Sequence, residues 1–184
     1  MSEPGRAAWE SAVRELFDFA VVAPRTGEDW RRDAKAVMNL QTADPRGWLE
    51  HNDVPEGDSD TWCDRSKPFI PPHLETFDDN VFPVSRGSAL QLLILLHGDR
   101  FMPWGIPGFE EKKEGLLELA GTVVGRFGQR ACFYTSATAA RDDPEVDMYT
   151  REAEHQRFSD YPLDCGVIIV SPDEVGVFWS FLVA

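Results

Sequence analysis

The chain is poor in cysteine and has no long hydrophobic run. Its 184 residues include three cysteines, Cys63, Cys132 and Cys165. The number is odd and no Cys-x-x-Cys pair occurs, so a disulfide framework is not expected. Cys132 and Cys165 lie in apolar segments and read as small buried residues. No apolar run exceeds five residues, the length of Leu92 to Leu96, far short of the ~20 that span a bilayer, so no membrane segment is expected. The opening Met1-Ser2-Glu3-Pro4 is polar and offers no apolar signal core, which makes the cytoplasm the expected location. Positive charge is scarce: 18 Lys and Arg face 32 Asp and Glu, for a net charge of -14. General binding to a nucleic-acid backbone needs a basic face and is disfavoured. A Walker A loop, GxGxxG, HExxH, GxSxG and an EF-hand loop are all missing.

Large apolar side chains are plentiful. Hydrophobic residues make up 42% of the chain, with six Trp and twelve Phe, which excludes an acidic disordered tail. The length suits one domain with a core of ordinary size. Trp9, Val13, Leu16, Phe17 and Ala20 recur on one face of a helical period, opened by Ser2 or Pro4 and stopped by Pro24. Thr26 and Asp29 resemble a capping box before a second helix with Trp30, Ala34, Val37 and Met38 inward. Asp44-Pro45 suggests a short helical turn carrying Trp48 and Leu49. Residues 52–72 lack periodicity and read as a long acidic loop, with Pro68 to Pro72 extended.

The Ser88 to Leu96 run fits either a buried strand or a buried helix. Its leucines and a Ser85 or Ser88 cap favour helix, with Gly98 as a left-handed cap. Arg100 to Gly108 is expected to be an irregular aromatic loop or a short edge strand. Phe109 to Phe127 is the clearest helix, ended by Gly128. A strand at Ala131 to Thr135, a polar loop at Ala137 to Asp147 and a short helix at Glu152 to Phe158 follow. Cys165 to Val170 and Val175 to Val183 form an antiparallel hairpin across Ser171-Pro172-Asp173-Glu174. The whole chain, 1–184, is thus expected to be a single α+β domain: N-terminal helices packed on a small, mostly antiparallel sheet.

The segment Phe127-Gly128-Gln129-Arg130-Ala131-Cys132-Phe133 resembles an element of the DUF3293 family of uncharacterised bacterial proteins. In that family an amphipathic helix runs into a Phe-Gly-Gln-x-Ala-x-Phe segment that begins a strand. The resemblance extends over at most residues 80–135 and implies the helix-to-strand step, but no activity.

Chemistry can be sought in the histidines. His51, His73 and His97 each have a carboxylate two residues on, at Asp53, Glu75 and Asp99. In an extended segment such residues share a side, so His73 and Glu75, with His97, are the weak metal candidates. Cys63 in the long loop could pair with a histidine as a nucleophile, although an acidic loop raises its pKa. A small enzyme would use His73, His97, Asp99 or Cys63 near the Arg100 to Gly108 loop. No cofactor is expected.

The carboxylates are more telling. Asp53, Glu56, Asp58, Asp60 and Asp64 surround Trp62, and Asp142, Asp143, Glu145 and Asp147 precede Tyr149. Carboxylates beside aromatic anchors suit a surface that docks on a basic protein. The leading expectation is a non-enzymatic inhibitory protein, similar to an immunity or antidefence protein of a bacterium or phage. A subunit of a larger assembly, joined through its aromatic Pro-rich segments, is the third reading.

Overall fold

Two long strands at the C-terminus organise the molecule. In the computed structural model, which describes residues 3–46, 67–150 and 154–182, β4 (Leu163–Val170) and β5 (Glu174–Leu182) pair as an antiparallel hairpin. The Ser171 hydroxyl closes the turn, accepting from the backbone N–H groups of Asp173 and Glu174. β1 (Phe19–Pro24) adds to β5, β3 (Cys132–Thr135) adds to β4, and β2 (Phe82–Val84) completes the other edge. The result is a fully antiparallel sheet in the order β1-β5-β4-β3-β2.

The sheet is buried on both faces because its strands are apolar on both. In β5, Phe178 faces a core shared with α1 (Glu3–Leu16), α5 (Arg86–Leu95) and α6 (Phe109–Gly125). Its neighbours Val177, Trp179 and Phe181 face the opposite core, shared with α2 (Trp30–Met38), α3 (Pro71–Leu74) and α4 (Phe77–Asn80). This alternation is the period of two expected of a strand. Helices therefore cover both sides of the sheet, and the fold is α+β as the pattern predicts.

The second core is built on aromatics. Phe69 meets Phe19, Trp179 and Phe181 with ring centroids 5.1, 5.6 and 5.3 Å apart. Full burial of one such ring contributes about 1.5–3 kcal/mol. Gly166 lies directly across from Trp179. A Cβ at residue 166 would collide with the indole ring, so glycine is what lets that ring lie flat on the sheet.

Several elements depart from the sequence reading. The first helix stops at Leu16, and Ala20 belongs to β1. Ala20 and Val22 still face the same core as Trp9 and Val13, so a strand here reproduces the helical spacing. Asp29, not Thr26, caps α2 by accepting from the Arg31 N–H at 3.0 Å. Thr26 instead turns its hydroxyl and backbone N–H toward Asp33. Pro71 opens α3 rather than extending the chain, as its fixed φ allows at the first helical position. Gly98 keeps a negative φ of -108° and is no left-handed cap. Residues 99–101 and 103–105 form two 3-10 turns, and a single helical turn, α7 (Ala139–Asp142), interrupts the polar loop.

Residues 154–158 are not helical. Gln156 N–H donates to Ser136 at 3.0 Å, and Glu154 accepts from Thr138 at 2.8 Å. Pairing with the chain beyond β3 satisfies these backbone groups in an extended form. The suggested turn at Trp48 and Leu49 lies outside the described residues. Just before it, Arg46 exchanges two backbone hydrogen bonds with Val22, at 2.7 and 2.6 Å. By contrast, α5 begins as expected, with Ser85 Oγ accepting from Ser88 N–H at 3.1 Å. Gly128 follows α6 with a φ of +74°, the conformation that favours glycine at a helix end.

Candidate functional site

The histidine candidates do not converge. His73 sits on α3, next to Leu74 of the second core, and its Nε2 is 3.5 Å from Asp160 Oδ1. His97 follows α5, and its Nδ1–H donates to the Glu15 carbonyl of α1, 2.8 Å away. Those helices cover opposite faces of the sheet. Glu75 does not join His73 either: residue 75 is the C-cap of α3 with helical φ and ψ, so residues two apart point to different sides. Asp99 is exposed on the first 3-10 turn. No group of three or more His, Cys, Asp or Glu side chains that could hold a metal ion occurs among the described residues.

The cysteines divide. Cys63 lies outside the described residues, as do His51, Asp53, Glu56, Asp58, Asp60, Trp62 and Asp64. Cys132 is exposed, not buried as its apolar neighbours imply, while Cys165 is fully buried in β4. Burial pushes the Cys165 thiol up to about 12, which leaves no thiolate for nucleophilic chemistry near neutral pH.

Asp142, Asp143, Glu145 and Asp147 form a strip with defined geometry. All four are exposed, whereas Val146 and Met148 between and beyond them are buried. The strip is tied to α5 and its cap. Ser85 N–H donates to the Pro144 carbonyl at 2.8 Å, and Met148 N–H donates to Gln91 Oε1 at 2.8 Å. Asp143 and Asp147 each brace the turn that follows, accepting from Glu145 N–H at 2.9 Å and Tyr149 N–H at 3.0 Å. Small polar groups and two apolar anchors thus hold the carboxylates outward.

The strip continues onto α6. Tyr149 meets Phe109 with ring centroids 5.3 Å apart, and Lys113 Nζ stands 4.6 Å over the Tyr149 ring. Burial raises the Tyr149 hydroxyl above its ordinary pKa, and the carboxylates of Asp147 and Glu110 raise it further. Glu110 therefore belongs to the same negative field. The loop entering α6 carries Trp104, which is 66% exposed. That loop is folded tightly on itself: a Cβ at Gly105 would strike the backbone of Asp99, and one at Gly98 would strike Ile106. Phe101 and Ile106 are buried beneath it, so Trp104 is held out by a fixed scaffold. Residue type and charge run pointed to the strip; its link through Tyr149 to Phe109 and Glu110 is a tertiary contact with no signal in local spacing.

The chain matches no family model, no curated protein and no solved structure.

Proposed function

We propose that the protein is a non-enzymatic acidic binding protein that docks on a basic protein partner and inhibits it. The observation that carries this reading is the ordered strip of Asp142, Asp143, Glu145 and Asp147, held outward by the buried Val146 and Met148. Fixed carboxylates lose little side-chain freedom on binding and attract a basic surface over a Debye length. Trp104, exposed on a rigid loop near the same helix end, supplies the aromatic anchor that charge alone does not. This is the behaviour expected of an immunity-like or antidefence-like inhibitor, whose carboxylates speed encounter and whose aromatic side chain slows release.

The test is capture of a basic partner from the native host with the wild-type chain at low salt. The association rate should fall steeply as salt rises, and the partner's own activity should fall on binding. Capture that is equally strong with the four strip carboxylates neutralised would remove the basis of the proposal.

A further inference from the structure

The hairpin turn at residues 171–174 stands out for its positive charge. Five arginines gather around it in a chain of net charge -14: Arg25, Arg46, Arg86, Arg126 and Arg130. Arg25 donates to the Ser171 carbonyl at 3.2 Å, and Arg86 to the Gly128 carbonyl at 3.3 Å. The other three line a cavity of about 500 Å³ that also takes in Asp173, Glu174 and Gln129.

Glu174 is fully engaged there. Arg126 grips it with two parallel bonds of 2.9 Å, and Arg46 approaches the same carboxylate at 3.5 Å while also bonding Asp44 at 2.7 Å. Arg126 is further fixed by lying 4.6 Å over the Trp9 ring. Arg130 is different. Its guanidinium is exposed and has no hydrogen bond or ion pair among the described residues. Asp173 at the rim opposes an anion, but its carboxylate leaves Arg130 unneutralised. Counting the surrounding pairs, five guanidiniums face the four carboxylates of Asp33, Asp44, Asp173 and Glu174.

We propose that this cavity binds a small oxyanion ligand, a phosphate-bearing or polycarboxylate small molecule, with Arg130 as its main contact and Arg46 and Arg126 beside it. Guanidinium forks match both oxyanion types bidentately, and every cation here is arginine, not lysine. The ligand is small because the rest of the chain repels a long polyanion.

Calorimetric titration of the full chain with pyrophosphate and with citrate, at low salt, tests this. Saturable binding of one ion alone identifies its chemistry, and binding of both identifies a general oxyanion site. Arg130→Ala should weaken binding roughly tenfold or more, the size of one charge-assisted hydrogen bond. It should leave the circular dichroism unchanged, because the Arg130 side chain makes no hydrogen bond or ion pair among the described residues. Arg100→Ala is the control for general attraction, since α6 separates its loop from the cavity by ~25 Å of helix. No binding of either ion overturns the proposal. So does equal weakening by Arg100→Ala, an unaffected Arg130→Ala variant, or binding shown only by a single-stranded oligonucleotide.

Discussion

The indole N–H of Trp179 donates to Asp164 Oδ1 at 3.0 Å inside the second core. The same carboxylate accepts from the backbone N–H of Phe158 at 3.1 Å and of Ser159 at 3.0 Å, and from the Ser159 hydroxyl. Burial pushes the Asp164 carboxyl above its usual range, against the pull of these donors. One acidic side chain thereby locks residues 158–161 onto the end of the β4–β5 hairpin. Asp164→Asn turns an amide NH2 toward at least one N–H donor whichever way it faces, and is expected to cost about 2–3 kcal/mol. Trp179→Phe removes the donor together with the pyrrole part of a fully buried indole, so lost packing adds to the lost bond, for about 2–3 kcal/mol. Urea denaturation of both variants checks these costs; an Asp164→Asn variant as stable as wild type would show that ring packing, not the carboxylate, holds the segment.

His155 predicts an acid-sensitive fold. Its Nδ1 is shielded from solvent and has no hydrogen-bond partner among the described residues, and its ring meets Phe101 edge-on at 5.2 Å. Burial lowers its pKa from 6.5 to about 4. The unfolded chain therefore binds a proton between these values that the folded chain does not. Stability from this residue is present above pH 6.5 and is lost as pH falls toward 4, by about 3 kcal/mol in all. His155→Gln should flatten the stability profile in that window. Glu174 and Asp33 act lower. Burial alone would raise both, but Arg126 and Arg46 around Glu174, and Thr26 and Arg25 around Asp33, bring each below its ordinary value. Their contribution is present above the ordinary carboxylate range and lost below it, so an acid limb remains in the His155→Gln variant.

Neutralising the acidic strip separates charge from fold. Asp143→Asn and Asp147→Asn keep the side-chain acceptors that brace Glu145 and Tyr149 while removing two charges. With Asp142→Asn and Glu145→Gln added, thermal stability should change by less than about 1 kcal/mol, as exposed polar substitutions do. The association rate for a basic partner should drop about tenfold at low salt and converge on wild type at high salt. Stopped-flow kinetics across a salt series reads both.

Gly105→Ala tests the scaffold under Trp104. The added methyl would press on the Asp99 backbone, which cannot move aside as a flexible side chain can. A cost of about 1–3 kcal/mol is expected. Trp104→Ala, at a site 66% exposed, should cost less than about 0.5 kcal/mol in stability while weakening partner binding. Thermal unfolding of the two variants distinguishes them.

Helix α6, the capped α5 and the terminal hairpin were legible because each carries its own local signal. Leu116, Ala120, Val123 and Val124 mark one helix face, Ser85 is a cap, and the alternation through Val177, Trp179 and Phe181 marks a strand. β1 and β2 were not legible. Phe19 to Pro24 continues a helical spacing by coincidence, and Phe82–Val84 is three residues long with a central Pro. Both exist because a longer strand is already present to pair with them. The acidic strip was visible as a run of charge, whereas the arginine cavity draws on residues 46, 126 and 130 and has no local pattern.

The sequence by itself determined the α+β class, the acidic character and the pairing of the last two strands, because periodicity, composition and turn chemistry act over a few residues. Only the tertiary structure decided that His73 and His97 are set against opposite faces of the sheet. It also decided that Tyr149 joins the strip to α6 and that five arginines surround one turn. These relationships arise from strand order and from helices covering both faces, and such long-range packing is free to bring together or keep apart residues that spacing along the chain cannot relate.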